Sequence, residues 1–279
     1  MAEFLQHDLT SACLCWLLER RDGAALGFTT HDRDLVIEGL AYRAATGMLP
    51  SAVSVSDGFD VDNVDVKGAL TSDAICVEDM KAGRWDGAEV TIFMTDWTAP
   101  GAERLEVTRG VLGEVSMAGG GFEAELKGVG AALDAPVVEQ TSPTCRASLG
   151  DKRCRVDLSG RRRLARVGSA QDDRLTFAYL EGLHPGPSPE GVELYAFGRV
   201  RWIGGANGGL LSDVRASDGA AARLREPPAF APAAGDLIEL IEGCDRRFET
   251  CVARFGNAAN FRGEPHLPGM DLLTRYPGA

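Results

Sequence analysis

Short runs of alternating apolar and polar residues, bounded by glycine or Asp-Gly turns, recur along this chain and restrict it to β architecture. Ala12–Glu19 suits a buried strand, Asp22-Gly23 is a hairpin turn signal, and Ala24–Thr30 returns antiparallel. A second hairpin is read over Asp34–Ile37, Glu38-Gly39 and Leu40–Ala44. Further strands are expected at Asp60–Val66, Ala88–Asp96, Leu105–Val111, Glu114–Met117, Gly121–Lys127, Arg174–Tyr179, Leu194–Ile203, Leu210–Arg215 and Asp236–Ile241. Glycine clusters at 119–121 and 204–209 separate them, the second reading as a flexible hairpin tip. Helices are expected to be few: Thr71–Asp79, Gly128–Val138, and a turn or two in Phe4–Thr10. The fold class is mainly β, with two barrel- or sandwich-like domains and few short helices.

Length points to two domains or one large β assembly, since 279 residues exceed the usual scale of roughly 100–200 for one domain. Charge changes along the chain. Residues 1–140 hold 24 acidic and 10 basic side chains, a balance of −14, against 17 and 19 in 141–279, a balance of +2, together the net −12. The change coincides with Asp134-Ala135-Pro136 and Ser142-Pro143, so the domains are read as 1–140 and 141–279. Arg223–Ala234, rich in alanine and proline, is expected to be an extended loop or edge segment. A net-acidic surface disfavours general binding of nucleic acid, though a local basic patch is compatible with it. No apolar run reaches the ~20 residues of a membrane span, and the N-terminal residues lack the pattern of a signal peptide, so synthesis in a cytoplasm is expected.

Seven cysteines are spread unevenly. Cys13 and Cys15 share one face of a strand and read as small buried hydrophobes, while Cys76 stands alone. Cys145 with Cys154, and Cys244 with Cys251, form two pairs far apart in sequence. Three readings stand side by side: four thiolates converging on a metal or iron–sulfur centre, two disulfides, or inert buried thiols. Arginines crowd both pairs, from Arg146 to Arg163 and from Arg246 to Arg262. Guanidinium groups lower thiol pKa values and offset the negative charge of a four-thiolate centre, but they equally serve contact with a partner or solvent.

Other candidates carry weaker signals. His31-Asp32-Arg33-Asp34 offers an imidazole and two carboxylates to a metal, yet the string reads better as a polar loop. A cysteine hydrolase needs a histidine beside its thiol; His7, His31, His184 and His266 are available, none in a recognisable catalytic context. The nucleophile-elbow pattern is absent around Ser148, and 204–209 lacks the lysine of a phosphate loop.

The segment Gly235–Asp245, Thr250-Cys251 and Arg254–Gly269 resembles the C-terminal signature of tail-hub or tail-tip proteins of long-tailed phages and of the phage-like gene transfer agents of alphaproteobacteria. Cys145-Arg146-Ala147, Leu149-Gly150-Asp151 and Cys154 fit the same pattern, as do Phe197–Trp202 before the Gly/Asn-rich hairpin and Gly27–Asp34 near the start. The resemblance implies that Cys145, Cys154, Cys244 and Cys251 are cofactor and metal ligands of an iron–sulfur cluster, [4Fe–4S] rather than zinc, tying the C-terminal domain together. It demotes His31 and its acids to a structural motif.

It further implies a non-enzymatic baseplate protein of the virion or gene-transfer-agent particle: a homotrimer at the tail tip that joins the distal tail ring to central tip or fibre proteins. A tail peptidase is a further implied partner, and DNA passes through the channel without specific binding. No membrane insertion of its own is expected. Asn257–Met270, alternating Phe, Gly and Pro, is expected to wrap the cluster region with Phe255 and Phe261 as apolar anchors. Two rivals remain: a tail-associated cell-wall hydrolase using Cys13 or Cys15 with His7 or His31, and an oxidoreductase with a redox-active cluster.

Overall fold

The computed structural model describes residues 3–6, 10–44, 49–50, 63–69, 75–118, 121–128, 138–180 and 193–267. His7, His184, most of the helix expected over Gly128–Val138, and the ends of several other expected elements lie outside these residues. The chain divides into two compact units, Met1–Val137 and Val138–Ala279.

The first unit is built on nine strands: β1 (Ala12–Glu19), β2 (Ala25–Thr29), β3 (Leu35–Ile37), β4 (Leu40–Ala44), β5 (Leu49–Pro50), β6 (Asn63–Ala69), β7 (Glu89–Asp96), β8 (Arg104–Ala118) and β9 (Gly121–Gly128). They form one sheet in the order β3-β4-β2-β1-β7-β8-β9-β6-β5. All pairings are antiparallel except β2 with β4. Both expected hairpins form. Gly23 takes φ +90° in the first, and Glu38 and Gly39 take +52° and +84° in the second, the left-handed pair a tight primed turn requires. The two segments expected at Leu105–Val111 and Glu114–Met117 are one strand, β8, whose register shifts between Leu112 and Val115. Alternation along β1 sends Trp16 and Leu18 to one side, with Val90, Ile92 and Trp85, and Cys13 and Cys15 to the other, with Ile37, Tyr42 and Phe93. The sheet is thus packed on both faces. Of the helix expected over Thr71–Asp79 residues 75–79 are described, and a short α1, Val77–Lys81, starts there; a 3₁₀ turn at Glu3–Leu5 overlaps the start of Phe4–Thr10.

The second unit closes six strands into an antiparallel barrel, in the order β10-β11-β14-β13-β12-β15. These are β10 (Arg162–Gln171), β11 (Arg174–Tyr179), β12 (Arg199–Trp202), β13 (Leu211–Asp218), β14 (Ala221–Leu224) and β15 (Leu237–Ile241). Val167, Leu175, Phe177, Val200, Trp202, Val214, Leu224, Ile238 and Leu240 fill the interior, as a barrel of this size demands. Three strands differ from the sequence expectation. β12 keeps only Arg199–Trp202 of the strand expected over Leu194–Ile203. β10 reads as polar because its arginines face outward while only Ala165 and Val167 are fully buried. β14 takes the start of the segment expected to be a loop, since Ala222 and Leu224 point inward. The Gly/Asn-rich turn is not a loose tip: Asn207 is wholly buried, its amide donating to the Phe230 carbonyl (2.7 Å) and accepting from the Phe230 N–H (3.0 Å).

Candidate functional site: a four-cysteine pocket at one end of the barrel

Three strand ends lie level at one end of the barrel. Ile241, closing β15, pairs with Arg162, which opens β10, and with Arg199, which opens β12. The segments entering and leaving this end carry the four cysteines. Cys145 and Cys154 precede β10, Cys244 follows β15, and Cys251 sits on a six-residue helix, α2 (Phe248–Ala253), that sequence reasoning missed. Its N-cap, Arg247, makes no side-chain capping bond, so the usual helix-start signal is absent.

Glycines bring these segments close. A Cβ on Gly243 would collide with the backbone of Ala196, Phe197 and Gly198, and one on Gly198 with the Ile241 carbonyl. Gly263 also lies close on the 144 segment, where its Cβ would stand 2.6 Å from the Thr144 carbonyl oxygen. Backbone bonds finish the assembly: Cys145 N–H to Arg246 O and Arg146 N–H to Arg262 O, each 2.9 Å. The 148–155 turn is organised by Asp151, whose carboxylate accepts from the N–H groups of Ser148, Arg153 and Cys154 at 2.6–2.8 Å. Against the penalty of burial, these bonds hold the Asp151 carboxyl below its usual range.

All four cysteine side chains line one enclosed pocket, whose wall includes Ala147, Leu149, Val156, Phe255 and Phe261. The two phenylalanines are placed as expected. Three sulfurs receive polar hydrogens: Cys244 from Arg246 N–H (3.4 Å), Cys145 from Arg262 N–H (3.4 Å), and Cys154 from the Asn257 amide (3.7 Å). Such donors favour charge on sulfur. Burial works the other way, pushing the Cys244 and Cys251 thiols up, and the nearby cysteines push them further. Cys244 and Cys251 thus favour the protonated thiol unless a cationic centre replaces the protons. All seven cysteines of the chain are free in this structure, so neither pair is a disulfide here. Among the described residues, no three His, Cys, Asp or Glu side chains close tightly enough to hold a single metal ion.

The arginines around the pocket are mostly committed elsewhere. Arg146 forms a bidentate pair with Glu264 (2.7 and 2.8 Å) and also bonds Glu139, which Arg153 shares. Arg161 and Arg254 both donate to Oε2 of the buried Glu242, each at 2.9 Å, and both flank the Phe255 ring. Of the charge expected to face the centre, only Arg246 and Arg247 line the pocket itself. Arg146, Arg153, Arg161 and Arg254 instead staple its loops.

The Arg146 bonds, with the Ser142 N–H, lower the Glu264 carboxyl from 4.5 to about 2. A depressed carboxyl contributes stability that is complete above its unfolded pKa and vanishes as pH falls through the folded one. Wild type and Glu264→Gln are therefore expected to differ in melting temperature near neutral pH and to converge as pH drops from 4.5 towards about 2. A difference that persists unchanged to the acid end would refute the staple.

The remaining candidates do not gather into a site. Cys13 and Cys15 are buried, with Thr95 O (3.6 Å) and Thr29 Oγ1 (3.5 Å) as partners, and the Cys13 contact together with burial pushes the Cys15 thiol far up. His31 stacks on Trp97 and lies 3.2 Å from Asp32, in the polar loop expected of it. Among the described residues no histidine is hydrogen-bonded to either thiol. His266 packs edge-on against Phe248.

Comparison with known proteins accounts for both halves of the chain. Residues 1–157 match the family described as baseplate hub protein, N-terminal attachment domain, and residues 193–271 match the family described as phage conserved hypothetical protein BR0599. The first cysteine pair falls in the first match and the second pair in the second. No curated protein matches the chain. Among solved structures, a chain from the virion of a native gene transfer agent particle is 39% identical with a TM-score of 0.83, the match covering 98% of this chain and 94% of that one. With more than half its length in the first match and a near-full-length structural relative, the chain belongs to the phage baseplate hub family.

Proposed function

We propose that the protein is the structural hub of a phage-like tail tip, carried in the particle as a homotrimer, and that Cys145, Cys154, Cys244 and Cys251 hold a structural [4Fe–4S] cluster. The observation that carries the cluster is the meeting of four thiols from three separate segments in one apolar pocket, with N–H donors on three of the sulfurs. A single zinc ion needs its sulfurs about 2.3 Å from one centre. A polynuclear cluster is held at its corners by sulfurs farther apart, and neither cysteine pair has the tight C-x₂-C spacing of an ordinary zinc ribbon. When bound, the cluster supplies a crosslink between the 145–154 and 244–251 segments. The residues themselves hold it dry and stapled through Phe255, Phe261 and the Glu242 and Glu264 ion pairs.

The family membership and the gene-transfer-agent relative support a place in the tail baseplate, between the distal tail ring and the central tip or fibre proteins, with a tail peptidase as a further partner and DNA passing without specific binding. The reading is non-enzymatic. Anaerobic purification with iron, sulfide and zinc quantified tests the cluster: roughly four iron and four sulfide per chain are expected. One zinc per chain without sulfide overturns it. Light scattering on the same sample is expected to give three times the 29.7 kDa chain mass.

A further inference from the structure

The cysteine end of the barrel also carries an open cleft of two lobes, about 330 and 360 Å³. Arg162 borders one lobe and Arg225 the other, while Phe197, Arg199 and Arg246 line both. Two features set this cleft apart from ordinary surface. Phe197 and Arg246 both hold left-handed backbone, φ +62° and +63°, which costs a non-glycine residue of order 1 kcal/mol or more. The Phe197 ring that this strain presents is 56% exposed, although large aromatics gain most from burial.

Four arginines and four carboxylates line the cleft, and Arg161 and Arg254 behind Glu242 tip the local balance to positive. Every lining carboxylate already has a partner: Asp151 takes three backbone N–H groups, Glu242 takes Arg161 and Arg254, Asp213 takes Arg199, and Asp245 takes Arg247 N–H and the Thr250 hydroxyl. The exposed guanidinium groups of Arg162, Arg225 and Arg246 make no ion pair among the described residues. An aromatic anchor ringed by three uncommitted arginines is the composition of a protein-binding hot spot, and its complement is acidic.

We propose that this cleft docks an acidic segment of another baseplate polypeptide, its carboxylates pairing with Arg162, Arg225 and Arg246 and one apolar side chain packing on Phe197. The proposal rests on the hub reading. The test uses purified particles carrying the full chain with Phe197→p-benzoylphenylalanine, irradiated, digested and read by mass spectrometry. Absence of the chain from particles would sink the hub reading before irradiation. With the chain present, the expected product joins position 197 to a carboxylate-rich segment of a different polypeptide. Its yield is expected to fall about tenfold on adding Arg162→Glu and Arg225→Glu, at equal amounts of incorporated chain. If the double variant fails to assemble, Arg225→Gln alone is expected to lower the yield roughly threefold. Crosslinks confined to this chain, crosslinks to a neutral or basic segment or to nucleic acid, no crosslink, or a yield indifferent to these charges would each overturn the docking proposal.

Discussion

Gly243→Ala is expected to dismantle the cysteine end of the C-terminal unit while the N-terminal unit keeps its fold. The added methyl would meet the Ala196 carbonyl oxygen, the Gly198 nitrogen and the Phe197 carbonyl carbon, all main-chain atoms with no rotamer to retreat into. Gly198 cannot yield either, because it is itself pressed against the Ile241 carbonyl and Gly243. The crossing must therefore separate, taking with it the Gly243 N–H bond to Leu194 O and the entry to Cys244. Overpacking of this kind costs roughly 3 kcal/mol or more, at the severe end for one substitution. Gly160→Ala is the matching control. Its Cβ meets nothing within 4 Å and its φ is not positive, so a change within about 0.5 kcal/mol is expected. Calorimetry should show one transition lowered by Gly243→Ala and the other unmoved. A melting profile like that of the Gly160 control would mean the crossing is looser than the geometry requires.

Cys154→Ser is expected to abolish iron retention and to lower the melting temperature of the C-terminal unit by about 10 °C or more, the equivalent of roughly 3 kcal/mol. Cys154 is buried, and the Asn257 amide donates to its carbonyl oxygen (2.7 Å) and its sulfur (3.7 Å). If the pocket only packs thiols, a serine of nearly the same size would cost about 1 kcal/mol and leave metal content untouched. The two outcomes are far apart. Cys13→Ser supplies the contrast: it perturbs the N-terminal core and is expected to leave iron content at the wild-type level.

How much was legible depended on how local the signal was. The hairpins joining β1 to β2 and β3 to β4 were readable because Asp22-Gly23 and Glu38-Gly39 specify their turns within a few residues. β10 was not, because a strand whose outer face is arginine and whose inner face is Ala165 and Val167 has almost no apolar contrast. β14 and α2 escaped for similar reasons, being four and six residues long with alanine-rich or uncapped sequences. The arginines near the cysteines were visible as a cluster, but their partners, Glu139, Glu242 and Glu264, lie far enough along the chain that pairing was unreadable for most of them.

By itself the sequence determined a β protein with turns at defined places, a charge difference between its halves, and a motif set pointing to tail hubs. Periodicity and turn chemistry act over a few neighbouring residues, so they survive in a one-dimensional reading. It left the four C-terminal cysteines open between metal, disulfide and inert thiol on spacing alone. Only the tertiary structure brought all four to one pocket, because that depends on β15 pairing with both β10 and β12 to close the barrel, and on two glycines letting the chain cross itself beside Cys244. Those are contacts between distant segments, fixed by steric room that no local pattern records.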